Sequence, residues 1–206
     1  MPQTTTKKDI CNKEDLYASV LRCPGQRVAP GIRPKILYAP KRWIKAWPTL
    51  PETKDADGLK DLAVLHGEFV LLADKAWMRI DLVDLKSSIN SESQGEAPSV
   101  TYNNQAEFVV GGTDEEITGF CRLAVNEPIV YLVPERTGKY RLLGCEDFDP
   151  VTTVQQQSGA GITDQKQTTV SVSAFDYCPS PFYQGAIVTA DEGPISGADD
   201  KAIAGQ

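Results

Sequence analysis

The feature that most limits what this chain can fold into is a two-residue alternation of apolar side chains, repeated in short segments between turns. Met78, Ile80 and Leu82 alternate with Arg79, Asp81 and Val83, and Val170 and Val172 alternate with Thr169, Ser171 and Ser173. Successive strand side chains point to opposite faces, so this spacing marks strands with one buried face. The same reading places strands at Lys35–Ala39, Leu65–Leu72, Trp77–Leu85, Ser99–Val110, Val151–Gln156, Thr168–Ala174 and Phe182–Val188. Ile129–Val133 and Lys139–Gly144 form an expected hairpin across Pro134–Gly138. Ser87–Pro98 is polar and reads as a mobile loop, and Gln157–Gln165 reads as a flexible link.

Helical period enters together with a start signal at one place. Thr113, Asp114, Glu115 and Glu116 have the order of a capping box, with Thr113 as N-cap. Ile117, Phe120, Cys121 and Ala124 then share one face, and Pro128 stops the run. A further helical turn is expected around Glu14–Leu21. The fold class is therefore mainly β, a sandwich or barrel with one flanking helix around residues 113–126. The 206 residues suit one domain. Residues 1–60 read as an N-terminal arm with a Trp/Pro-rich segment, 61–189 as the sandwich core, and 190–206 as a flexible tail.

Charge and cysteine usage narrow the function. Residues 1–60 hold 12 Lys and Arg against 6 Asp and Glu, while the remainder holds 9 against 22. The net charge of -7 argues against a dedicated nucleic-acid grip. Opposite poles suit head-to-tail association of copies; differing loop composition is the plainer reading. Cys11, Cys23, Cys121, Cys145 and Cys178 show no zinc or redox spacing and are expected as reduced thiols. The first residues lack the apolar core of a signal peptide, and no stretch approaches the roughly 20 apolar residues of a membrane span. A soluble chain is expected.

Chemistry is sparse. His66 lies in an expected strand with no nucleophile or acid in a recognised motif around it. Asp114, Glu115 and Glu116 are explained by helix capping. Glu146, Asp147 and Asp149 read either as a solvated turn or as oxygen ligands of a hard cation. Gly111-Gly112 fits a strand-to-helix turn and lacks a phosphate-binding spacing. No catalytic, cofactor or metal residue is assigned, and no enzyme is expected. Lys41, Arg42, Trp43, Lys45 and Trp47 combine cations with aromatics, which suits core packing, an interface anchor or single-strand stacking. Arg42, Trp43 and Trp47 are the interface candidates.

Several motifs occur in an order met elsewhere: Gly67-Glu68-Phe69-Val70-Leu71, Phe108–Gly111 leading into Thr113–Phe120, Gly138–Gly144, and Cys178–Gly185. The stretch from Glu68 to Gly185 resembles structural proteins of tailed bacteriophages, in particular tail tube proteins of phages of Bacteroides and relatives. That resemblance implies a β-sandwich or barrel with one helix, hexameric rings, and head-to-tail stacking into a tube in the virion tail. It also implies synthesis in the host cytoplasm, contact with other virion proteins, and genome DNA passing through without specific binding. Acids lining such a lumen would repel phosphate, and Glu92, Glu96 and Glu107 are the candidates. A head-tail connector, neck or capsid decoration protein is the alternative. A carbohydrate-binding or fibre-like module would need Trp43, Trp47 and Trp77 on one exposed face, and an enzyme would need a cleft at His66.

Overall fold

The computed structural model describes residues 16–25 and 27–203. Glu14, Asp15 and Cys11, and with them the start of the turn expected around Glu14–Leu21, lie outside the described residues. The strands are β1 Lys35–Pro40, β2 Ile44–Ala46, β3 Val64–Leu65, β4 Val70–Leu71, β5 Met78–Asp81, β6 Ser88–Gln94 and β7 Thr101–Gly111. The helix α1 Glu115–Ala124 follows, then β8 Ile129–Pro134, β9 Tyr140–Leu143, β10 Val151–Gln157, β11 Gln167–Asp176, β12 Phe182–Tyr183, β13 Ala186–Thr189 and β14 Gly193–Ser196. The protein is mainly β, with one α-helix among the described residues.

Two sheets dominate. The larger has six strands in the order β3, β12, β9, β8, β1, β5, and the smaller has four in the order β10, β11, β7, β6. All six residues of β8 are buried, which requires cover on both faces of its sheet. On one face Ile36, Ile129, Tyr131, Val133 and Leu143 meet Ala106, Phe108, Val170, Val172 and Ala174 of the four-stranded sheet. Ala124 and Phe120 of α1 close that core, the Phe120 ring lying 4.9 Å from Tyr38. On the other face Leu37, Ala39, Val130, Leu132, Tyr140 and Leu142 pack against Phe69, Trp77, Ile187 and Ile195. The result is a β-sandwich with a third layer built from residues 43–77 and the β13–β14 hairpin. Burying each large apolar side chain contributes about 1.5–3 kcal/mol, so the stacked layers are the main source of stability.

Several expectations need correction. The polar loop at Ser87–Pro98 is in fact β6, paired residue for residue with β7 from Ser88↔Glu107 to Gln94↔Thr101. Its one apolar side chain, Ile89, packs on the core, and backbone pairing to the long β7 supplies the rest of its order. Leu65–Leu72 is two strands in different sheets, because the chain turns at Gly67, whose φ of +90° suits glycine. Phe182–Val188 likewise splits at Gly185, where a Cβ would stand 2.5 Å from the Tyr183 hydroxyl. The helix starts one residue later than a Thr113 cap requires: Asp114 is the N-cap and makes no capping side-chain bond. Glu115 and Glu116 still place negative charge on the first turn, where the helix dipole favours it.

The two ends of the chain also differ from expectation. β1, expected within the segment 1–60 outside the core, lies between β8 and β5 in the six-stranded sheet. Residues 190–203, expected as part of a flexible tail, include β14 with Ile195 only 2% exposed. Asp200 accepts from the Tyr140 hydroxyl at 2.6 Å, is 2.9 Å from Lys35 Nζ, and pairs with Arg33. Glu192 pairs with Lys35 at 3.3 Å and with Arg79. These ion pairs, gathered around a buried carboxylate, fasten the C-terminal segment to β1, β5 and β9. Composition rich in Gly, Ala and Asp hid this, because one isoleucine and two acids do the fastening.

Candidate assembly surfaces

The four-stranded sheet has one face on the core and one bare. Alternation sets this: Ala106, Phe108, Val170 and Val172 point inward, so Gln105, Glu107, Ser171 and Ser173 point outward. The outer face continues through Ser88, Asn90 and Glu92 of β6 and Thr153 and Gln155 of β10. Hydroxyl and amide side chains dominate it, and none of the four strands contains a Lys or Arg. The face holds a shallow depression of 270 Å³ that reaches from Ser88 and Asn90 on β6 to Val151 and Thr153 on β10. Lys86 stands at one end, its Nζ donating to Gln165 and Gln167.

Among the described residues, both outer strands of this sheet, β10 and β6, lack a strand partner on their outer side. An edge of this kind presents unpaired N–H and C=O groups and can accept a strand from another molecule. Of the lumen candidates, Glu92 and Glu107 are exposed and share the outer face, directly opposite Asn103 and Ser88 respectively across the β6–β7 ladder. Glu96 is not on that face. It sits in the β6–β7 turn, where its carbonyl accepts from Ser99 N–H at 2.8 Å.

The Trp-rich segment belongs to the other side of the molecule. Trp43 and Trp47 are half-buried against the second core cluster. Trp47 packs edge-on to Phe69 at 5.5 Å, and Phe69 in turn lies 5.2 Å from Trp77 and 5.0 Å from Tyr183. Lys75 Nζ lies 4.9 Å over the Trp43 ring. Arg42 is exposed and pairs with Glu127 at 2.9 Å. Trp77 is 1% exposed, so the three tryptophans do not share an exposed face.

His66 is not within a strand but follows β3 at an isolated bridge to Thr49. Its Nε2 lies 2.7 Å from Asp61 Oδ1, His66 being exposed and Asp61 half-buried. Asp149 is engaged by Lys41 Nζ at 2.6 Å, and among the described residues no group of three or more His, Cys, Asp or Glu is placed to share a metal ion. Cys23, Cys121, Cys145 and Cys178 are free, and burial pushes the Cys178 thiol up to about 11. No helix among the described residues is long and apolar enough to cross a membrane.

A further surface escaped sequence reasoning. At the end of the bare face away from Lys86, Phe148 lies 6.5 Å from Phe175 and 5.6 Å from Tyr177. Tyr177 and Val151 are 59% and 60% exposed. The signal was available: Phe175 and Tyr177 continue the outward period of Ser171 and Ser173, so two aromatics were bound to emerge beside the polar face. Asp176, between them, points inward and is buried. Loss of solvent raises its carboxyl to about 6, with Asp147 adding to the rise, although the Tyr177 and Cys178 backbone N–H groups oppose it.

Compared with known proteins, the chain matches no family model, no curated protein and no solved structure.

Proposed function

We propose that this protein is a structural subunit that assembles with copies of itself into stacked rings, as the tail tube of a tailed bacteriophage does. The observation that carries the reading is the bare face of the four-stranded sheet. It carries a shallow depression, is built from strands without Lys or Arg, and is bounded on both sides by strands that have no outer strand partner among the described residues. Lateral pairing of β6 in one copy with β10 in the next extends the sheet around a ring and turns the bare faces towards a common channel.

A channel of this kind suits passing DNA. Hydroxyls and amides offer no fixed cation to a phosphate, and Glu92 and Glu107 repel it, so a duplex slides without being held. Six copies per ring follow the resemblance, as do the virion tail and contact with other virion proteins. The chain needs no cofactor for such a role, and no substrate is turned over.

Electron microscopy of the purified protein across a concentration series tests the reading. Long hollow polymers are expected. Discrete rings would move the assignment to a connector or neck component, and monomers at every concentration would end it. Turnover of a substrate that stops in His66→Ala would replace it with an enzyme.

A further inference from the structure

Tyr17, Val20, Leu21 and Val28 are 89%, 89%, 85% and 70% exposed, although they lie within a dozen residues of one another. Residues 17–25 and 27–31 form neither helix nor strand, and Leu16 before them is buried. Arg22 and Arg27 give this segment positive charge. Four large apolar side chains left in water on one short segment are a cost that a partner removes.

The aromatic patch described above has the matching properties. Phe148, Phe175, Tyr177 and Val151 offer apolar surface, and Glu146 and Asp147 beside them are exposed and make no ion pair among the described residues. The root of the arm and the patch stand at opposite ends of the sheets. The arm enters the fold at Ile32, which bridges Glu135, and at Arg33, whose N–H donates to Pro134 O. The patch lies at the other end of the sheets, where Lys41 Nζ meets the Glu146 carbonyl at 2.8 Å. An extended segment of 15 residues spans up to about 50 Å, longer than the diameter of a domain this size.

We infer that Tyr17, Val20, Leu21 and Val28 of one copy dock on the Phe148–Phe175–Tyr177 patch of the next copy along the stack, with Arg27 facing Glu146 and Asp147. The inference rests on the self-assembly reading and adds the contact that joins one ring to the next. It also gives the charge segregation of the sequence a purpose: the basic arm at one pole seeks the acidic rim at the other.

The full-length chain carrying Tyr17→p-benzoylphenylalanine, mixed with isotopically labelled wild type and irradiated under assembling conditions, tests this by mass mapping. Cross-links from position 17 to residues 145–151 or 175–177 of a differently labelled copy are the expected result. Assembled particles whose cross-links map elsewhere, or within the same copy, overturn the docking and leave the ring reading standing. A protein that stays monomeric at all concentrations overturns both. As a second arm, Asp147→Lys raises the concentration needed for assembly about tenfold, and Arg27→Glu in the same chain restores it. An unchanged threshold in Asp147→Lys, with wild-type melting, overturns the charge pairing.

Discussion

The six-stranded and four-stranded sheets solve opposite problems with the same repeat. In the larger, both faces are covered and β8 reads Ile-Val-Tyr-Leu-Val-Pro, apolar at every position. In the smaller, β11 reads Gln-Thr-Thr-Val-Ser-Val-Ser-Ala-Phe-Asp, with apolar residues on one side and hydroxyls on most of the other. The first pattern spends its side chains on holding the fold together. The second keeps half of them free, and a sheet that keeps one polar face and open edges at β10 and β6 retains the means to meet another molecule.

Substitutions can break this contrast. Leu132→Ala, in the middle of β8 and 0% exposed, should cost about 3–5 kcal/mol, read as a lower denaturant midpoint with unchanged slope. A loss below about 1 kcal/mol would mean that β8 does not sit between two packed layers. The next largest effect concerns Asp176, at the junction of core and bare face. Its carboxyl takes up a proton more readily in the folded chain, at about 6, than at the ordinary 3.8. The folded state therefore holds the extra proton between these values, and stability falls as pH rises through that window. Above it, burying the charge costs up to about 3 kcal/mol. Asp176→Asn should raise the melting temperature at pH 7.5 and flatten the slope between pH 4 and 6; an unaltered pH profile would show that this carboxyl is better solvated than its burial implies.

Phe120→Ala sharpens the comparison at the helix. The ring is half-buried and packs edge-on to Tyr38, so a loss of about 2 kcal/mol is expected by thermal or chemical melting, less than for a residue of β8. The smallest effect belongs to the bare face. Glu107→Gln should change stability by no more than about 0.5 kcal/mol, because the side chain is exposed and loses no ion pair among the described residues. A large loss there would show that the face is structural after all.

How far the sequence could be read follows the same division. Where apolar residues recur at period two or at helical spacing, the elements were legible: β7, β8, β9, β10, β11 and α1 lie within a few residues of their expected bounds. β6 was illegible because Ser-Ile-Asn-Ser-Glu-Ser-Gln has one apolar side chain, and its order comes from β7, a neighbour that no local pattern reveals. The splits at Gly67 and Gly185 were missed because a continuous apolar run looks alike whether it stays in one sheet or crosses to another. At the C-terminal end, tertiary ion pairs to Arg33 and Lys35 decide the matter, and these partners lie more than 150 residues away in sequence. The candidate surfaces divide in the same manner. Glu92 and Glu107 share a face because of strand register, whereas Glu96 falls in a turn and Trp43 and Trp47 lean on the core.

β8 supplies alternate side chains to both hydrophobic clusters, Tyr131 and Val133 to one and Val130 and Leu132 to the other. A single strand thus serves as the common wall of two compartments, and neither compartment can melt while the other keeps that wall in place. Heating should reveal one calorimetric peak whose enthalpy equals the van't Hoff value, with no separately melting outer layer.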